Sequence, residues 1–321
     1  MTQQKLETKH SKENKKTNAS EPKQLKYAFF PGCVSKGACR ELYDSTRIIA
    51  ELLGIELVEL EKASCCGAGV IQEMQPKVGD ALNARSLAMA SQLGLPLLTQ
   101  CSTCQGVFSQ VQHRLKSNPD YLKEINNVLQ HQGYSYNGKT DIKHLLWVLV
   151  NDYGLENVQK KIKYSLKGTK LAAFYGCYLL RPSSVMQFEK DPVHPTSMEN
   201  IFTMLGAEPV MYDGRTKCCG FPISMMDKEA SFRMAGANLL EAKKLGADAM
   251  VTPCPLCHLN LDARQPEVAS FLKEKIDMPV LHLSQLVGLA LGVEPKKLKL
   301  DKHIVDTSSF LKKFEEGKIQ K

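Results

Sequence analysis

The 321-residue chain predicts an α/β protein made of two pseudo-symmetric repeats, each a mainly parallel sheet with flanking helices. Three observations predict it. Ten of the eleven cysteines fall into two sets, Cys33, Cys65, Cys66, Cys101, Cys104 and Cys177, Cys218, Cys219, Cys254, Cys257, each reading C, a gap, C-C, a 34-residue gap that begins with Gly, C-x-x-C. Four of the five pairs are offset by 153 residues and Cys33 to Cys177 by 144, which marks an internal duplication with nine extra residues in copy two, placed around Phe188 to Pro195. Within each copy, short apolar runs alternate with longer helical patterns, the signature of β-α-β crossovers.

The elements follow in order. Tyr27 to Phe30 predicts a strand, Ala38 to Leu53 a helix ended by Gly54, and Ile55 to Leu60 a second strand. Lys77 to Leu93 predicts a helix stopped by Gly94, and Pro96 to Thr99 a third strand. Copy two matches with Leu171 to Phe174, Met198 to Leu205, Pro209 to Tyr212, Asp227 to Leu245 and Ala249 to Thr252. Ile142 to Leu146 resembles Val280 to Ser284, so His144 and His282 hold equivalent places. Every cysteine cluster comes just after a strand, so all should gather at the carboxyl end of the sheet, where open α/β sheets place their ligands. The expected organisation is a disordered basic tail over 1–24, repeats over 25–165 and 166–295, and a basic tail over 296–321.

Charge and composition exclude several classes. The net charge of +8 lies in the ends: residues 1–26 carry seven Lys against three Glu, and 296–321 eight Lys against four acids, which leaves the body neutral with 27 basic and 27 acidic residues. A neutral body argues against nucleic acid as a partner. The tails read as solubilising, or as attracted to an acidic partner or anionic membrane surface. No apolar run reaches the ~18–20 residues that span a bilayer, and no apolar segment follows the Lys-rich start as in a secretory signal. A cytoplasmic location, or one peripheral at the membrane surface, is expected.

Five thiols at one crevice admit three chemistries. Disulfides are rare in a reducing compartment, and vicinal pairs such as Cys65-Cys66 close almost no loop. A structural zinc site takes four ligands and leaves the fifth sulfur unexplained. An iron–sulfur core suits soft thiolates, and five of them suit one less regular than a simple cube. Gly32 and Gly176 precede the first cysteine of each set, and Gly67 and Gly220 follow each Cys-Cys pair, where the lack of a Cβ lets backbone approach a bulky core. Cys101–Cys104 and Cys254–Cys257 should open helices whose N-terminal NH groups favour an anionic core.

The doubled pattern, with Phe30-Pro31-Gly32-Cys33, Ser64-Cys65-Cys66-Gly67, Cys218-Cys219-Gly220 and Pro253-Cys254-Pro255-Leu256-Cys257-His258-Leu259-Asn260, resembles the CCG cysteine-rich domain family: the B-type subunit of heterodisulfide reductase and the C- or E-type subunit of certain succinate dehydrogenases and fumarate reductases. The resemblance covers residues 27 to about 295. It implies two CCG repeats, each holding a noncubane [4Fe-4S] cluster on its five cysteines, with zinc in one copy in some relatives. It further implies an oxidoreductase subunit that passes electrons from partner iron–sulfur and flavoprotein subunits to a quinone or disulfide. In the family one or both clusters are where substrate is reduced; Cys218, Cys219 and His258 are the catalytic candidates here, His258 as a proton donor because it directly follows Cys257. No G-x-G-x-x-G follows a strand, so electrons must arrive from a partner. The rival reading is a zinc-stapled scaffold that docks partners without redox work.

The remaining residues read as follows. Cys39, outside the pattern, reads as packing. Arg215 and Lys217 could offset cluster charge. Leu145 to Leu149 and Leu286 to Leu291 resemble core, while the resemblance leaves the stretch from Leu281 to Val293 open as a membrane-facing helix.

Overall fold

The computed structural model describes residues 24–317; the segment expected to be a disordered N-terminal tail lies outside the described residues but for Gln24. Eight strands form two four-stranded sheets, β1 (Lys26–Phe30), β2 (Glu56–Glu59), β3 (Leu97–Thr99) and β4 (Ile142–His144), then β5 (Lys170–Ala173), β6 (Glu208–Val210), β7 (Ala249–Thr252) and β8 (Val280–His282). Both sheets are parallel throughout, and their orders, β2-β1-β3-β4 and β6-β5-β7-β8, are the same topology twice. The duplication in the sequence is thus a duplication of fold.

Strand residues alternate between two cores. Tyr27 and Phe29 join one apolar cluster and Ala28 and Phe30 the other; in the second sheet Leu171 and Ala173 join the first, Ala172 and Phe174 the second. Such two-sided burial is what a parallel sheet covered by helices requires. Both clusters draw on both repeats, so the two sheets are packed into one body.

Helix boundaries follow local chemistry. Arg40–Leu53 ends at Gly54, whose φ of 72° takes the left-handed C-cap. Lys228–Lys244 starts where the Asp227 side chain accepts from the Ala230 N–H at 2.8 Å. The first repeat's helix Pro76–Gln92 opens on proline, whose missing N–H would be unpaired there in any case.

Two expectations are corrected. Leu283–Ala290, within the stretch open to a membrane-facing reading, is buried at every position; it packs beside Arg40–Leu53, with Ser45 Oγ 2.6 Å from Ser284 Oγ across the junction of the repeats. Its apolar face is answered by protein. Residues 296–317, expected to be a basic tail, belong to the fold: Leu298, Leu300, Phe310 and Phe314 are buried, the two phenylalanines one turn apart on the helix Ser308–Gly317. The lysine count of this segment hides an apolar stripe. No helix among the described residues is long and apolar enough to cross a membrane.

Candidate metal centre

All five cysteines of each repeat sit on the segments that follow three adjacent strands: Cys33 after β1, Cys65 and Cys66 after β2, Cys101 and Cys104 after β3, and their counterparts after β5, β6 and β7. Parallel strands put these segments at one end of the sheet, and the sulfurs meet there. Cys33 Sγ lies 3.2 Å from Cys65 Sγ and Cys66 Sγ 3.4 Å from Cys104 Sγ. Cys65 and Cys66 interact with each other, as do Cys101 and Cys104. In repeat two the contacts run from Cys177 to Cys218, Cys219, Cys257 and Cys254. Cys101 and Cys254 interact, so the two quintets approach each other where the repeats meet, and Thr103 Oγ1 lies 3.4 Å from Cys254 Sγ.

All eleven cysteines are free thiols, and the sulfur separations of 3.2 and 3.4 Å are well beyond the ~2.05 Å of a disulfide. Hydrogen bonds from Cys33 and Cys66 hold the Cys65 thiol far below its usual range, and bonds from Cys177 and Cys219 do the same for Cys218. At Cys254, against the upward pull of burial, hydrogen bonds from Cys101, Cys257 and Thr103 bring the thiol well down. Each repeat therefore contains a sulfur biased toward thiolate, the form that binds metal.

The four glycines divide into two kinds. A Cβ on Gly32 would sit 3.4 Å from Cys104 Sγ, and one on Gly176 3.0 Å from Cys257 Sγ, both at φ above 60°; these two glycines clear the space beside the sulfurs. At Gly67 and Gly220 a Cβ would instead meet Ile71 at 2.9 Å and the Ser231 carbonyl at 2.7 Å. The latter pair packs its loop on the following helix, and its backbone N–H groups donate to the first sulfur of each Cys-Cys pair, Gly67 to Cys65 Sγ at 3.3 Å and Gly220 to Cys218 Sγ at 3.4 Å.

The C-x-x-C segments differ. Cys101 is the N-cap of the sixteen-residue helix Ser102–Ser117 and its Sγ accepts from the Cys104 N–H at 3.4 Å. Cys254 precedes a single turn, Pro255–His258, that widens into a π-helix over Leu259–Ala263. Three buried asparagines hold the Cys-Cys loops: Asn83 Nδ2 donates to Cys66 O at 2.8 Å, Asn238 Nδ2 to Cys218 O at 3.0 Å and Asn260 Nδ2 to Cys219 O at 2.6 Å. Sequence reasoning misses Asn83 and Asn238; the signal that could find them is an asparagine inside the same helix of both copies.

An apolar cavity of about 100 Å³ faces the second quintet, lined by Cys177, Cys219, Cys254 and Cys257 and roofed by Tyr175, Tyr178, Phe221, Pro222 and Met225, with Ala68 and Val70 reaching in from repeat one. No Asp, Glu, Lys or Arg lines it. His258 is not among its lining residues: its ring is buried, stacked on His282 at 4.0 Å, with Nε2 2.9 Å from Val280 O. The proton-donor role expected of His258 loses its geometric basis. Arg215 is also corrected, since its guanidinium is buried, donating to Glu199 Oε1 at 2.6 Å and Pro195 O at 2.8 Å, and so anchors the inserted loop. Lys217 is exposed.

The residues present fit an iron–sulfur core. Ten free thiols converge in two fives, side chains that would crowd them are absent at Gly32 and Gly176, and the residues of four cysteines line the cavity. The model of the CCG cysteine-rich domain matches residues 27–109 and again 171–262. The chain belongs to the CCG cysteine-rich domain family. Among its CCG relatives is the 8-methylmenaquinol:fumarate reductase membrane anchor subunit of Wolinella succinogenes, 41% identical over 89% of this chain and 99% of that protein. A protein of Archaeoglobus profundus named as similar to the B-type subunit of heterodisulfide reductase is 34% identical over 85% of the chain and 93% of its own length. The B-type subunit of the ferredoxin/F420H2-dependent CoB-CoM heterodisulfide reductase of Methanosarcina acetivorans is 30% identical over 91% and 97%. A hypothetical protein from Helicobacter pylori shares the fold at a TM-score of 0.71 and 15% identity, over 90% of this chain and 55% of that one.

Proposed function

We propose that this CCG protein is the iron–sulfur electron-transfer subunit of a redox complex, exchanging electrons between partner iron–sulfur and flavoprotein subunits and a quinone-class molecule bound at the second quintet. Cys33, Cys65, Cys66, Cys101 and Cys104 would hold one noncubane [4Fe-4S] cluster, and Cys177, Cys218, Cys219, Cys254 and Cys257 the other. Such a core, when bound, supplies one-electron exchange. The observation that carries the reading is the uncharged, aromatic-lined cavity on the Cys219 side. An apolar ring gains from burial against Tyr178, Phe221 and Met225, whereas a disulfide of anionic thiols would need cations in that wall. Exposed apolar residues stand beside the cavity: Val70 and Met225 from its lining, with their near neighbours Met74 and Met226. They support entry of the quinone from an apolar phase and peripheral contact with a membrane.

The chain's own residues bind and orient. Tyr175 is held by Glu199, to whose Oε2 it donates at 2.5 Å, so one wall of the cavity is rigid. The approach of Cys101 to Cys254 brings the two quintets together for electron exchange between them. The test is electron paramagnetic resonance of the anaerobic protein titrated separately with a short-chain quinol and with a thiol disulfide. A signal induced by the quinol alone, with about tenfold weaker quinol affinity in Phe221→Ala, is expected. A signal induced only by the disulfide would replace the quinone, and a colourless zinc-only protein would replace the redox reading with the scaffold.

A further inference from the structure

A separate set of ligating side chains lies outside both quintets, at the junction of the repeats. Cys39 caps the helix Arg40–Leu53 and Glu41 stands in its first turn; His258 ends the turn after Cys254, and His282 ends β8. One ligand atom from each of these four lies within 4.8 Å of all the others. All four are shielded, with exposures of 0% for Cys39, 9% for Glu41, 3% for His258 and 0% for His282.

Their hydrogen bonding is incomplete in the way a metal would complete it. His258 Nε2 is fixed by Val280 O at 2.9 Å, while its Nδ1 is buried without a partner. An imidazole oriented through one nitrogen with the other free is how protein histidines meet a metal, and a buried acceptor left bare costs ~1–3 kcal/mol. His144, the counterpart of His282, shows the satisfied alternative: Nδ1 accepts from the Leu146 N–H at 3.1 Å and Nε2 meets Pro253 O at 3.1 Å. His282 instead turns Nε2 to Glu41 Oε1 at 3.2 Å, joining residues 241 positions apart.

We propose that Cys39, Glu41, His258 and His282 bind one zinc-class divalent cation, a third metal site that clasps the two repeats together. The donor set decides the class. One sulfur, two imidazole nitrogens and one carboxylate oxygen make a four-coordinate, borderline-soft set suited to zinc; calcium and magnesium take all-oxygen shells. Charge agrees, since one thiolate and one carboxylate against a divalent ion leave a neutral buried site without the desolvation cost of a net charge. Binding breaks the Cys39 S–H bond and releases that proton to solvent; no electron is transferred. Burial leaves no open coordination position for substrate, so the site is structural. It joins the start of Arg40–Leu53 in repeat one to the backbone beside Cys257 and the end of β8 in repeat two.

Metal analysis of the full, iron-loaded chain tests this. About one zinc per chain beyond the iron is expected, falling at least tenfold in Cys39→Ser and in His282→Gln while iron and visible absorbance persist; Cys219→Ser should lose iron and keep zinc. Cobalt added to the iron-loaded wild-type protein should give a thiolate-to-cobalt charge-transfer band, a readout that stands even if the variants do not fold. No zinc or cobalt bound to the iron-loaded wild type would overturn the site. So would zinc that survives Cys39→Ser and leaves with Cys219→Ser, which would put it in a quintet.

Discussion

The two repeats share a sheet order and a cysteine pattern and differ in what surrounds the sulfurs. In repeat one Cys33 and Cys65 are exposed, beside a cavity edged by Lys36, Glu61 and Ser64. In repeat two Cys177 and Cys218 are only partly exposed, and Tyr175, Tyr178, Phe221 and Met225 roof the site. Duplication preserved the donors because they follow strands, and the loops beyond those strands were free to diverge. A polar, open quintet suits contact with a partner protein; a roofed quintet without charged side chains suits a small apolar redox molecule. Under the proposed function these are the two ends of one path.

The largest effect should come from removing a thiolate in each repeat separately. Cys219→Ser should lose about half of the roughly eight irons per chain and all quinol oxidation, while Cys66→Ser should lose the other half and sever transfer to the partner; iron analysis and absorbance check both. Loss of all iron in either variant would make the quintets one unit. Next, Arg215→Met leaves Glu199 buried without its cation in the repeat-two loop and should destabilise by about 3–5 kcal/mol in denaturant unfolding, whereas removing the exposed Lys36 partner of Glu59 in repeat one should cost below ~1 kcal/mol.

A pH-dependent effect concerns the equivalent histidines. Burial holds the His144 imidazole down to about 4. The unfolded chain takes up that proton near 6.5, so it binds more protons than the folded chain between those values. Stability from this residue is fully present above pH 6.5 and falls as pH drops toward 4. Between pH 7 and 5 the loss should be about 2 kcal/mol, and His144→Gln should remove that share of the acid sensitivity in denaturation midpoints at the two pH values.

Much of the framework is legible in the sequence because it is local. Helix ends at Gly54 and Asp227 depend on a few neighbouring dihedrals and hydrogen bonds, and cysteines follow strands wherever a crossover loop begins. His258 and Arg215 escape such a reading because adjacency in sequence to Cys257 and Cys218 says nothing about direction: the first ring turns away from the cavity, and the second side chain turns to Glu199. The apolar stretch Leu283–Ala290 admits two readings, since its partner, Arg40–Leu53, lies more than two hundred residues earlier.

From the sequence alone came the duplication, the alternation of strands and helices, and ten sulfur donors at repeated spacing, all set by short-range geometry. Only the tertiary structure decided that the quintets meet at Cys101 and Cys254, that one lies open and the other under aromatic rings, and that Cys39 and Glu41 come to face His258 and His282. These are contacts between segments far apart along the chain, and their selection rests on how two sheets bury their faces in shared cores, a property no local pattern encodes.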